Sequence, residues 1–489
     1  MTSRWQSISL ICTQTIEKNG VWERSKLRRR AWEAIVSVVF SRFVRTGEQF
    51  ILVPIYLSAW GVDTYGEWLT LTAMTAFLSF TNFGLGQAAA SEIVMAIGAG
   101  DRERAQQAFS SSAFMLSVIA LVVIAGLAAI SLHVDISALA GFTKLGRREA
   151  AVIASCTGVN VILWFFCEPL SAALSATIGA GRANLLPTLV GIGQVIFIAV
   201  ALLRGGTPEV AALITSLSAL MTLLGYLAVI RRLAPWLRVL SFKPDQASLL
   251  RMLKPSFGYL TLFVSVNIFG TQLPRIILFS VLGSSAVTIF SVTTTYARTI
   301  RTLSGIVSPA LQVEVGHAYG AGDASRFVDL VNKMCRISIW SAIALGGGLF
   351  LCSFFLIPFW TNGRVSVDLI LLAFLIAEAV LGSLGDPILT ALTIINRVGT
   401  IAWVHVLTLL LGLAVGSIFL NRIGPVAIAI GLIVPDVAVI LFGRSELGRR
   451  GGEAKPLRVR ELVRWPGDLL HGEFNVLLRS SVGAKFLRR

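Results

Sequence analysis

The sequence predicts an all-α polytopic membrane protein, with about twelve transmembrane helices in two pseudo-symmetric six-helix lobes around a central cavity. Three observations predict it. The first is composition: the 489 residues are 55% apolar and 14% charged, with mean hydropathy +0.78, against about 25% charged residues in soluble proteins. Apolar runs of roughly 20 residues, enough to cross a bilayer, recur along the chain. The second is an internal repeat. Gly61 and Gly98-Ala99-Gly100-Asp101 return 222 positions later as Gly283 and Gly320-Ala321-Gly322-Asp323, and Glu92 returns as Glu314. The third is the placement of basic residues, which fall mostly in alternate connections.

In chain order, residues 1–33 form a polar, basic N-tail ending in Arg28-Arg29-Arg30, with no cleavable signal sequence visible. The N-lobe, residues 34–230, carries spans at 34–58, 66–96, 108–132, 150–178, 185–203 and 209–230. A basic, Pro-containing linker, 231–254, leads to the C-lobe, 255–443, with spans at 255–281, 286–317, 337–360, 367–395, 400–420 and 424–443. A basic tail, 444–489, interleaves cations with Leu, Val, Trp and Phe and suits an anionic lipid surface or a partner enzyme. With both termini cytoplasmic, the inner segments hold 31 of the 42 Lys and Arg and the outer loops 6. Lys144, Arg147 and Arg148 are outer-loop cations that run against this rule. Each half contains an even number of spans, so the two copies share one orientation, as in parallel-repeat transporters.

Net charge is +16, which the basic cytoplasmic loops account for without nucleic acid as a partner. Five cysteines without CxxC spacing and four histidines without i,i+4 pairing offer no disulfide framework, metal site or cofactor site.

Charge within the spans points to function. Ser291, Thr294, Arg298, Arg301, Gly305, Ser308 and Gln312 step by three or four and share one helix face. Thr72, Thr75, Ser79, Asn82 and Gly86 repeat the pattern without charge, and Arg42 and Arg45 share a face of the first span, with Glu48 one turn on. Asn267, Thr271 and Arg275 lie on the seventh span, where Pro274 is expected to kink the helix. An Arg at a helix centre costs about 2.5–3.5 kcal/mol against lipid, so the first, second, seventh and eighth spans are expected to line a wet cavity. Arg42, Arg45, Arg275, Arg298 and Arg301, with Asn82 and Gln312, are the expected anion-binding groups, because a guanidinium grips phosphate with two parallel hydrogen bonds. Glu168, which precedes Pro169, Asp386, which precedes Pro387, Glu378 and Glu48 are the expected coupling carboxylates. Glu92 and Glu314 are expected to be structural or gating residues.

Leu57-Ser58-Ala59-Trp60-Gly61, Tyr65-Gly66-Glu67-Trp68 and Asn82-Phe83-Gly84-Leu85-Gly86-Gln87-Ala88 resemble the N-terminal signature of bacterial polysaccharide and O-antigen flippases. These belong to the multidrug/oligosaccharidyl-lipid/polysaccharide exporter superfamily. The GAGD turns and Gly179-Ala180-Gly181-Arg182 are similar too, over roughly residues 34–445. The resemblance implies a V of two lobes opening alternately to each side of the inner membrane. It also implies a polyprenyl-pyrophosphate-linked oligosaccharide as cargo, a proton or sodium gradient as drive, and no enzymatic step. Arg298 and Arg301 match the position where such flippases place cavity cations, whereas Pro274 stands where they often carry an acid. A drug exporter of the same superfamily is the alternative, with a cationic cargo that an Arg-rich cavity would repel. A membrane-integral polymerase or ligase fits less well, because the longest outer loop is His133 to Glu149.

Overall fold

The computed structural model describes residues 40–450, apart from 42, 45, 240–243, 253–255, 257–267, 321 and 396–397, together with residue 463. The described residues are helical and contain no strand. Twelve elements follow the predicted spans: α1 (residues 46–60), α2 (62–76, a 3-10 turn Phe77–Asn82, then Leu85–Gly98), α3 (Arg102–His133), α4 (Arg147–Ile178), α5 (Leu185–Leu203), α6 (Pro208–Leu233), α7 (Leu273–Leu282), α8 (Ser284–Ser304, then Val307–Gly320), α9 (Ala324–Trp360), α10 (Leu369–Ile394), α11 (Val398–Ile423) and α12 (Val426–Arg450). Eight of them, α3–α6 and α9–α12, are each long and apolar enough to cross a membrane. The other four differ for identifiable reasons. Part of α1 and of α7 lies outside the described residues, α2 is broken midway, and the 21-residue first part of α8 is rich in Ser and Thr and carries Arg298 and Arg301.

The repeat is written into the backbone. Gly61 carries the chain from α1 to α2 at φ +79°, and Gly283 carries it from α7 to α8 at φ +80°. Gly100 and Gly322, in the two GAGD turns, sit at +77° and +72°, where a side chain would be strained. Asp101 then caps α3 by accepting from Arg104 N at 2.9 Å, and Asp323 caps α9 by accepting from Arg326 N at 3.0 Å. The α2 break is Phe83-Gly84, both with positive φ, and the α8 break at Gly305-Ile306 falls at the same offset of 222. Pro274 marks the start of the described part of α7, after a turn at 270–272, instead of kinking a continuous helix.

Among the described residues, the halves share an apolar core at one end. One apolar core runs through both where Gly61 and Gly283 sit, and includes Leu57, Tyr65, Leu278 and Val287. Toward the GAGD turns the cores are separate, one built on Ile93, Phe109 and Tyr226, the other on Phe327, Met334 and Ile388. At the shared end the contacts are close and polar. Ser284 and Ser285 donate to Asp63, Thr288 Oγ1 donates to Val62 O at 2.7 Å, and Arg364 Nη1 donates to Leu57 O at 2.6 Å. Trp360 Nε1 donates to Phe50 O at 2.7 Å. The linker belongs to the N-lobe: Ala234, Leu237 and Met252 join its core, and Asp245 N donates to Ser111 Oγ.

Glu67 holds the loop after α3. It is 1% exposed and accepts from Thr143 N and Oγ1, Lys144 N and Leu145 N at 2.7–3.0 Å. Glu67→Ala leaves these donors without a carboxylate, each costing about 1–3 kcal/mol where buried. The expected result is a lower melting temperature and faster hydrogen exchange at amides 143–145, with α9–α12 unchanged.

Candidate functional site

The broken helix α8 brings Arg298 and Arg301 to a cavity of about 590 Å³. Its walls come mainly from the C-lobe: Arg298, Arg301 and Thr302 of α8, Glu378 and Asp386 of α10, His405 and Leu409 of α11, and Pro435 and Asp436 of α12. Thr46 and Gln49 of α1 close it from the other half, with Gly270 and Thr271 before α7. So α1, α8 and the turn before α7 line it. α2 does not, and α10–α12 contribute the acidic wall.

Arg301 is the centre of this wall. Its Nε and Nη2 grip Asp386 at 2.9 and 2.7 Å, the two-pronged pairing that guanidinium and carboxylate favour. Its Nη1 donates to Glu378 at 3.2 Å and lies 3.5 Å from Asp436 Oδ1. The guanidinium rests directly on Gly382, where an added Cβ would lie 2.3 Å from Nη1. The positive charge of Arg301 is thus shared by three carboxylates on two other helices. Glu378 and Asp386, expected as coupling groups, are its partners. Arg298 differs, donating through Nη2 to Gly270 O at 3.3 Å. The wall thus sets two guanidiniums, Arg298 and Arg301, against three carboxylates, and Arg301 is paired with all three of them.

Ser291, Thr294 and Ser308 are buried in the bundle at 9% exposure or less. On α2, Thr72, Thr75 and Ser79 return their hydroxyls to their own helix at Leu69 O, Thr72 O and Ala76 O. Arg275 Nη1 donates to Gln272 Oε1 at 3.1 Å, within its own first turn, and Arg275 does not line the Arg301 cavity.

The N-lobe gathers other expected residues in separate places. Asn82 Oδ1 accepts from Gly86 N at 3.1 Å across the α2 break, and Asn82 and Gln87 donate side-chain amides to Glu168 at 3.5 and 3.1 Å. The Glu168 carboxylate lies so close over Gly86 that a Cβ there would meet it at 1.9 Å. Glu48 faces a second hollow of about 460 Å³ with Gln194, which donates to it at 3.5 Å. Glu92 is buried and paired with Arg104 at 2.8 Å, while Glu314 is exposed, so these repeat partners have diverged in environment. Arg42, Arg45 and Asn267 lie outside the described residues, as does the side chain of Gln312.

Asp436 and His405 are the site residues that sequence reasoning left out. Asp436 carried a signal: it adjoins Pro435, as Glu168 and Asp386 adjoin prolines in their helices. His405 carried none.

No family model matches the sequence, and no curated protein matches it. Solved structures do. One is an inward-facing multidrug resistance MATE family transporter of the MOP superfamily, 17% identical, TM-score 0.66, covering 83% of this chain and 96% of that one. An outward-facing structure of a multidrug resistance MATE family transporter of that superfamily is 17% identical, TM-score 0.63, covering 87% and 97%. The chain has the MATE transporter fold. A third match is a MOP superfamily transporter from Pyrococcus furiosus, whose binding pocket is described as having reversed polarity, at 17% identity and TM-score 0.61 over 87% and 96%. The shared MATE fold accounts for the two six-helix halves and for a cavity walled by both.

Proposed function

We propose that the protein is a secondary transporter that exports organic cations by alternating access between its two halves. The observation that carries this is the Arg301 cluster. With Arg301 bound to Asp386, Glu378 and Asp436, its positive charge is paired within the cavity wall, and its repulsion of a cationic cargo falls away. The fold supports the same reading, since halves joined at one end and separate at the other can rock about the joined end. The bias of basic residues supports cytoplasmic termini in a bacterial inner membrane, which puts the opening on the cytoplasmic side. Transport needs no covalent step, and none is assigned.

The lipid-linked oligosaccharide flippase is the second reading. Arg298 favours it, because it bonds a carbonyl and keeps its charge available to a pyrophosphate. Vesicles containing the protein and loaded with ethidium separate the two. Efflux under an imposed proton or sodium gradient, lost in Asp386→Asn, is the expected result. No gradient-driven efflux, together with restored surface polysaccharide in a flippase-deficient strain, would overturn it in favour of the flippase.

A further inference from the structure

The cations that run against the charge rule sit around a groove of about 480 Å³ between the end of α3 and the start of α4. Arg147 and Arg148 line it above Ala151, Val152 and Cys156, and the hydroxyls of Ser131 and Ser155 meet at 3.0 Å. The surroundings are apolar and open: Leu132 is 71% exposed and Val152 38%. Lys144, Arg147 and Arg148 are all exposed. Their position is fixed, because Glu67 holds the preceding loop and Arg147 Nη2 donates to Leu132 O at 3.3 Å.

The nearby carboxylates are occupied elsewhere. Glu149 accepts from Gly146 N at 2.9 Å, Asp135 from Ala138 N at 3.1 Å, and Glu67 from the loop amides. Three exposed cations, at the end of a helix whose own N-terminus is positive, therefore face the membrane surface with an apolar trough beneath them. From this geometry we infer that the groove is a binding site for an anionic phospholipid, its phosphate between Arg147 and Arg148 and its acyl chain along Ala151, Val152 and Cys156. Basic pockets between membrane helices take lipid phosphates in this way, and each Lys or Arg near the surface contributes about 1 kcal/mol. The site lies apart from the Arg301 cavity and is independent of the cargo carried there.

The test is lipid retention by the full-length protein. Native mass spectrometry in mixed phosphatidylcholine and phosphatidylglycerol should show phosphatidylglycerol retained, and Arg147→Gln/Arg148→Gln should weaken it roughly 30-fold. Arg204→Gln/Arg422→Gln, which removes two outer cations elsewhere, should leave it unchanged. In the wild type, alkylation of Cys156 should slow when phosphatidylglycerol is added, a readout that needs no variant to fold. Equal retention by the Arg147/Arg148 variant overturns the assignment. So does equal protection of Cys156 by phosphatidylcholine, or displacement of the lipid by inorganic phosphate, which would mark a site for free anions.

Discussion

Arg301→Ala is expected to abolish transport and to destabilise the protein by about 3 kcal/mol. That figure is the low end of the 3–5 kcal/mol seen when one partner of a buried pair is removed. The low end applies because the Arg301 and Asp386 side chains keep 28% and 35% exposure, so water screens part of the loss. What remains is three carboxylates crowded around an empty position, two of them at 11% exposure or less. Like charges so placed repel, and either protons are taken up or α10 and α12 move apart. Arg301→Lys should recover little, because a single ammonium cannot reproduce the two-pronged grip on Asp386. Arg301→Ala/Asp386→Asn should recover stability but not transport. Thermal melts and ethidium efflux measured on all three variants check this. Wild-type efflux by Arg301→Ala would remove the cluster from the mechanism.

Gly66→Ala should be the other severe change. A Cβ on Gly66 would lie 2.1 Å from the carbonyl oxygen of Ser284 and 2.9 Å from Thr288 Oγ1. The first contact is backbone, so no rotamer relieves it, and the two halves must separate at their joined end. The variant should therefore favour the state open at that end and slow the transport cycle by about tenfold or more, the effect of roughly 1.4 kcal/mol on the balance of the two states. Spin labels at Ser58 and Ser280, both exposed near the joint, should report a longer distance in Gly66→Ala. An unchanged distance with normal efflux would show that this joint does not open.

Much of the architecture is legible in the residues. The 222-residue offset identifies Gly61 and Gly283, and both prove to be left-handed turns entering the second helix of each half. The three- and four-residue spacing on α8 places Arg298 and Arg301 on one face, and the cost of burying them in lipid points that face at the cavity. The partners of Arg301 are not legible in the same way. Glu378, Asp386 and Asp436 stand on α10 and α12, and no spacing within one helix connects residues that meet only through packing. The breaks in α2 and α8 leave only local marks, Gly84 in one and Gly305 with Pro309 four residues on in the other. Polar stripes mislead where hydroxyls satisfy themselves on their own helix, as Thr72 and Thr75 do.

The joint has one property that two identical subunits could not share. Gly66 faces Thr288, its own counterpart at the offset of 222, and Asp63 accepts from Ser285, which is likewise its counterpart. Across a true dyad, a notch must meet a notch and an acid must meet an acid. Fusing the halves into a single polypeptide lets the pair diverge, so a knob seats in a socket and a hydroxyl answers a carboxylate. Two identical subunits packed this way would leave a looser or self-repelling seam, so the tight closure depends on the two halves differing.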